Sequence, residues 1–484
     1  MPDPLRRGVR PIPPARPLTT AVVVTVASLA VACGGGGAGS TAVSSGTPVP
    51  PQVTILPGGP SPSPSAPGPH ALGPDDWPTY HRDNTRHGDA PNLAPRSALS
   101  VSWSARLDGA VYGQPLVVGD RVYAATENNT IYALDPRTGQ TIWSVSVGTP
   151  VRRGTLPCGN IDPLGITSTM VYDPKTGRVF AVAETTDGHH TLFGVDAATG
   201  TVAFRVAVEP PRGDPMAHQQ RGALTLWNGR IYVPYGGLFG DCGNYVGSVV
   251  SAPASGDGDV RSYVVPTSRE GGIWATPGGV VDGDRLLYAV GNGESTTDYD
   301  GSDSVIALTA DLTRVDFFAP TTWPLDNQSD LDLGSMSPVL VGQHVYIVGK
   351  RGVGYLLRHD HLGRIGGQVT LGAACRAFGG SAVDGSTVYL PCSDGPMAVR
   401  IGTDGAVTQV WKAAVNAAGS PVVGGGAVWV VDHDRGVLYA LNPATGGVLD
   451  RVTVGVAPHF ASPTLSGQHA YVGTMDGVVA VNGA

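Results

Sequence analysis

The sequence predicts an all-β, eight-bladed β-propeller whose ring is closed by a strand from its N-terminal side. Three observations carry this expectation. A short apolar strand recurs eight times between Arg121 and Thr474, as RVYAAT, RVFAVA, RIYVPY, LLYAVG, HVYIVG, TVYLPC, AVWVVD and HAYVGT. Its period of roughly 40 to 60 residues is that of four-stranded blades. Many copies are preceded by a small residue and a proline, as in GQPLVV at Gly113, MSPVLV at Met336, GSPVVG at Gly419 and ASPTLS at Ala461. Finally, IYALDPRTGQTIW at Ile131 returns in part as LFGVDAATGTVAF at Leu192 and LYALNPATGGVLD at Leu438.

The repeated turn has a physical reason. Asp135, Asp196 and Asn442 can accept hydrogen bonds from amides two or three residues on. Gly139, Gly200 and Gly446 end the turn with left-handed backbone. Trp143, or Phe204 in the next copy, then starts an outer strand that covers the neighbouring blade. The last copy stops after three strands, so LSVSWSARL at Leu99 is expected to supply the fourth, with Trp103 in the place of Trp143. Such pairing removes the open edges of the ring.

Composition bounds the rest. Gly 69 and Pro 41 in 484 residues suit many strands joined by turns, and 14% charged with 41% hydrophobic residues indicates a folded chain. A net charge of -8 with no basic stripe excludes a nucleic-acid partner. Before Cys33, four arginines precede LTTAVVVTVASLAVAC, the layout of a secretory signal over residues 1–32. The apolar run is short against the roughly 20 residues of a membrane span. LAVAC resembles a bacterial lipobox with Leu29 one place further from the cysteine than usual, which makes Cys33 a lipidation site. An ordinary signal peptide or an uncleaved anchor is the alternative. Residues 33–74, rich in Gly, Ser and Pro, read as a tether, and 75–484 as the propeller. The expected location is therefore the outer face of a bacterial cell membrane, reached through the lipid alone.

An even set of cysteines remains after Cys33, as an oxidising compartment favours. Cys375 is expected to pair with Cys392, because they flank neighbouring strands of one hairpin, leaving Cys158 for Cys242. No spacing supports a zinc site instead.

The pattern A-x-D-x-x-T-G-x-x-x-W, complete from Ala133 to Trp143, resembles the pyrroloquinoline-quinone (PQQ)-type repeat. DDWPTYHRDNTRHG at Asp75 also looks like the opening segment of such propellers. That family holds the quinoprotein alcohol dehydrogenases and the propeller lipoprotein of bacterial outer-membrane assembly. The resemblance implies a propeller from about Asp75 to Ala484 but not one function. EGGIWATPGGVVDGDRLLYAVGNG at Glu270 is similar to the dehydrogenase segment that carries a quinone-stacking Trp and a calcium-binding Asn. This implies Trp274 and Asn292, although a Trp can simply fill a blade and GNG can simply turn. LDNQSDLDLGSMSPVLV implies Asp330 as the catalytic base with Asp332 beside it. VGKRGVGYLL places Lys350 or Arg351 against the quinone, and LFGDCGNYVG offers Asp241 for calcium where the family has Glu.

Two departures stand against this set. No two cysteines are adjacent, although many of the dehydrogenases cover the quinone with such a pair, and Ser329 stands where a Trp precedes the catalytic Asp. The expectation is accordingly an envelope scaffold that binds a protein or small-molecule partner. The alternative is a dehydrogenase using PQQ and calcium. A hydrolase is not favoured, since no G-x-S-x-G elbow is present.

Overall fold

The computed structural model describes residues 71–484; the expected signal segment, Cys33 and the tether to residue 70 lie outside the described residues. Eight sheets follow one another along the chain. The first two blades are built from Leu116–Val118, Arg121–Ala125, Thr130–Leu134 and Thr141–Ser146, then Val171–Asp173, Arg178–Glu184, His190–Asp196 and Val202–Ala207. Blades 3 and 4 comprise Thr225–Trp227, Arg230–Gly237, Ser248–Pro253 and Arg261–Val264, then Val280–Asp282, Arg285–Val290, Ser304–Leu308 and Arg314–Ala319. Blades 5 and 6 comprise Val339–Val341, His344–Val348, Val353–Arg358 and Thr370–Ala373, then Ala382–Asp384, Thr387–Leu390, Met397–Ile401 and Val407–Lys412. Blade 7 is Val422–Gly424, Ala427–Asp432, Val437–Leu441 and Val448–Thr453. In each the four strands pair antiparallel, inner to outer in chain order.

Blade 8 closes the ring as the sequence leads one to expect. Thr464–Ser466, His469–Thr474 and Gly477–Asn482 take Ser100–Arg106 as their outer strand, antiparallel, with Trp103 opposite Ala480. Apolar side chains of adjacent blades interleave to make the core, as where Tyr123 and Ile131 of blade 1 meet Tyr172 and Val179 of blade 2.

The turn repeat turns out to be an inter-blade lock. Asp135 accepts from the amides of Arg137 at 2.9 Å and Thr138 at 3.0 Å, closing the turn. Trp103 of blade 8 donates its indole N–H to Pro136 O at 2.9 Å, in blade 1. Trp143 does the same to Ala197 O of blade 2 at 3.1 Å, and Trp411 to Pro443 O of blade 7 at 2.8 Å. The turn glycine thus serves twice. At Gly139 φ is 71°, and a Cβ there would sit 2.5 Å from Trp103 Cε3. Gly139→Ala is expected to cost at least about 2 kcal/mol, from left-handed strain and displacement of the indole. Gly447→Ala would meet only Thr445 Oγ1 at 3.4 Å. Chemical denaturation should therefore shift for the first variant and barely for the second.

A feature the repeats do not reveal is the segment from Trp77 to Ala90, which lines the axis and touches every blade. Trp77 exchanges backbone hydrogen bonds with Val117 of blade 1. Pro78 O accepts from Tyr172 N, and the Asn84 side-chain N–H donates to Leu226 O while the Asn84 backbone carbonyl accepts from Val281 N. His87 bonds Leu340 O and accepts from Val383 N; Gly88 O accepts from Val423 N. His81 Nε2 meets Ser462 Oγ, next to blade 8, at 2.9 Å. Asp89–Ala90 then pairs parallel with Val422–Gly424.

Both expected disulfides are formed, Cys158–Cys242 and Cys375–Cys392. The second bridges the two ends of one hairpin, as expected, since Ala382–Asp384 pairs antiparallel with Thr387–Leu390 between its cysteines. Cys375 lies in the connection from blade 5 to blade 6, and Cys392 in the loop after the second strand of blade 6.

Candidate functional site

Strand direction alternates within a blade, so each loop between second and third strands opens on the same face as each connection to the next blade. This is why segments far apart in sequence meet. Glu270 and Trp274 lie in the connection from blade 3 to 4, and Asn292 in the second loop of blade 4. Asp330 and Asp332 lie in the connection from blade 4 to 5, and Lys350 in the second loop of blade 5.

Asp332 is the hub. Its side chain is only 3% exposed. One carboxylate oxygen accepts from the Asn292 backbone N–H at 2.7 Å; the other accepts the Trp274 indole N–H at 3.2 Å and lies 3.0 Å from Lys350 Nζ. Burial raises its pKa, against the lowering pull of Lys350. Behind it Asp303 is fully buried and held well above the carboxylate range, first by burial and then by the charge of Asp332. Lys350 spans both loop aspartates, reaching Asp330 Oδ1 at 2.5 Å, and its ammonium lies 5.8 Å from the Trp274 ring centre.

Asp330 is different in kind. The helix Trp323–Ser329 ends on it, in left-handed conformation at φ 50°, and its side chain is 59% exposed. The structure therefore brings Trp274, Asn292, Asp330, Asp332 and Lys350 together.

Two expected residues fall elsewhere. Arg351 turns away to pair with Asp326 on that helix. Asp241 accepts from the Tyr245 hydroxyl at 2.6 Å, and the carboxylate beside Asn292 is Glu270, 3.1 Å from its side-chain N–H. Glu270 is raised by burial and further by Asp241, Glu294 and Asp332, although Arg269 opposes this. It was missed because the family pattern places a Glu in blade 3, whereas this one stands four residues before Trp274.

The donor chemistry fits the groups the family implies. Glu270, the Asn292 amide oxygen and the nearby aspartates are hard oxygen ligands in a region of excess negative charge, as calcium requires. Trp274 offers an aromatic face beside a cation, as a planar quinone carboxylate requires. No cysteine pair covers it; Phe460 leans on it, with ring centres 6.2 Å apart. Against Phe460 lies the buried guanidinium of Arg221, 5.8 Å from that ring and 5.5 Å from Tyr112. No carboxylate pairs with Arg221 among the described residues, and Glu127, pushed up to about 8 by burial, stands near it.

Comparison with known proteins agrees with the fold. A family model described as outer membrane protein assembly factor BamB matches residues 99–157, 127–235 and 403–482. A quinohemoprotein alcohol dehydrogenase from Comamonas testosteroni superposes over 84% of this chain and 80% of its own, with TM-score 0.65 and 17% identity. This chain is a PQQ-like β-propeller.

BamB from Moraxella catarrhalis superposes on this PQQ-like propeller over 79% of the chain and 99% of its own, with TM-score 0.57 and 17% identity. Polyvinylalcohol dehydrogenase of a Pseudomonas species is 25% identical over 84% of this chain and 71% of that relative. The enzyme of that name from Sphingopyxis sp. strain 113P3 is 30% identical over 52% of this chain, which spans 40% of that relative's length. The expectation of a binding scaffold is corrected by these likenesses. Both of these relatives are named dehydrogenases.

Proposed function

We propose that this propeller is a dehydrogenase of alcohols that works with PQQ and calcium. The observation that carries this reading is the convergence of Trp274, Asn292, Asp330, Asp332 and Lys350 on one face, from loops of three consecutive blades. Polyvinylalcohol dehydrogenases among the relatives support it and suggest secondary alcohols, polymeric ones included, as the substrate class.

Bound there, the quinone supplies a hydride acceptor and the calcium ion a Lewis acid. Glu270 and Asn292 hold the ion, and Trp274 supports the ring plane. Asp332 fixes three of these parts at once, through Trp274 Nε1, the Asn292 backbone N–H and Lys350 Nζ. Asp330, exposed and positioned by Lys350, takes the hydroxyl proton of the alcohol. Export and lipidation at Cys33 complete the proposal, with the substrate met outside the cell; the two disulfides support an oxidising compartment.

The test is reconstitution of purified protein with PQQ and calcium, followed by dye reduction with short secondary alcohols and poly(vinyl alcohol). Calcium-dependent turnover is expected. Folded protein that binds the quinone and reduces no dye with any alcohol would overturn the reading.

A further inference from the structure

A second cluster on the same face belongs to no step described above. His433 and Asp434 lie in the loop after the second strand of blade 7, and His459 in the connection from blade 7 to blade 8. One ligand atom from each of the three lies within 4.8 Å of the other two. The imidazole rings of His433 and His459 are 4.3 Å apart between centres. His433 Nε2 stands 3.5 Å from Asp434 Oδ1. Two donors each about 2.1 Å from a tetrahedral ion lie about 3.4 Å apart, so this spacing is that of two ligands with an ion between them.

The loops are held in register before any ligand arrives. Ala457 N donates to His433 O at 3.1 Å, and Val454 N to Gly436 O at 2.8 Å. Arg221 Nη2 donates to His459 O at 3.0 Å. His433 Nε2 is the ring nitrogen that faces Asp434. The His433 side chain is 12% exposed, and its Nδ1 is buried with no hydrogen-bond partner among the described residues.

We propose that His433, Asp434 and His459 bind one divalent transition-metal ion of the zinc, cobalt and copper class. Imidazole nitrogens set this site apart from the oxygen donors around Asn292, which suit calcium. The ion ties the blade 7 loop to the connection that carries Phe460, the ring against Trp274. The inference stands whether or not the chain oxidises alcohols.

The test is titration of the chelator-treated full chain with Co²⁺ in excess calcium, read by visible absorption, with Zn²⁺ as competitor. One equivalent of Co²⁺ is expected, displaced by Zn²⁺. Outer-shell changes alone cost about 10–100-fold in metal affinity, so loss of a direct ligand in His459→Ala should weaken binding by at least about 100-fold. His459 is exposed, so that variant keeps its fold. Absence of Co²⁺ binding at micromolar concentration, or undiminished binding in both His459→Ala and Asp434→Asn, would overturn the proposal.

Discussion

Asp330→Asn is expected to lower dye-linked alcohol oxidation by about 10²–10⁴-fold, the usual contribution of a positioned general base. The choice between the two loop aspartates rests on what each carboxylate is already doing. Both oxygens of Asp332 are occupied, by the Asn292 backbone N–H and by Trp274 and Lys350, and the group is 3% exposed. A substrate hydroxyl cannot reach it without breaking the set it organises. Asp330 has one ionic partner, Lys350, and is 59% exposed. Asn at that position has the same shape but no basic oxygen. Because the side chain is exposed, its stability should change by less than about 0.5 kcal/mol. Quinone affinity should also hold, since Lys350 keeps Asp332. Asp332→Asn should behave otherwise, losing quinone and calcium affinity together. If Asp330→Asn retained full turnover while Asp332→Asn lost turnover with normal quinone binding, the roles would be reversed.

The architecture was legible because its signals are local and repeated. Each inner strand, second strand and turn carries its own residues, and the count of second strands gives the count of blades. The turn also hinted at its partner, since Trp143 had to cover something; only the structure shows that it covers the next turn glycine, Gly200, where a Cβ would sit 2.7 Å from its ring. Resemblance located whole segments, and the structure brings Trp274, Asn292 and Lys350 from them together around Asp332. Which neighbouring residue joins that group was not legible. Asp241 and Glu270 are both carboxylates, but the Tyr245 hydroxyl engages one and Asn292 the other. Lys350 and Arg351 are adjacent, and only the position of Asp326 on the preceding helix shows which is turned away. Such choices are set by tertiary contacts that no local pattern encodes.

Replacement of Arg86 by Leu is expected to cost about 4 kcal/mol and to lower the melting temperature by about 5 °C in a ring of this size. Arg86 is 1% exposed at the axis. Its guanidinium donates to Gly279 O at 3.2 Å, Thr79 Oγ1 at 2.7 Å, Tyr80 O at 2.9 Å, Leu224 O at 3.1 Å and Thr225 Oγ1 at 2.9 Å. It thereby ties the axial segment to blades 3 and 4. Burial pushes its pKa down to about 10, so it stays charged at neutral pH. Two effects oppose one another in the variant. Removing a buried charge recovers desolvation energy, which by itself favours Leu. Against this, five buried acceptors lose their donor, at about 1–3 kcal/mol for each left dry, and a shorter side chain leaves a cavity. The second effect wins, because three of the acceptors are backbone carbonyls with no freedom to turn elsewhere. Arg86→Lys keeps the charge but cannot satisfy a fork of five, so it should also melt early. Arg137→Ala, with a side chain 84% exposed on a turn, is the control and should melt with the parent. If Arg86→Leu melted with it, the axial segment would be a passenger on a ring stable without it.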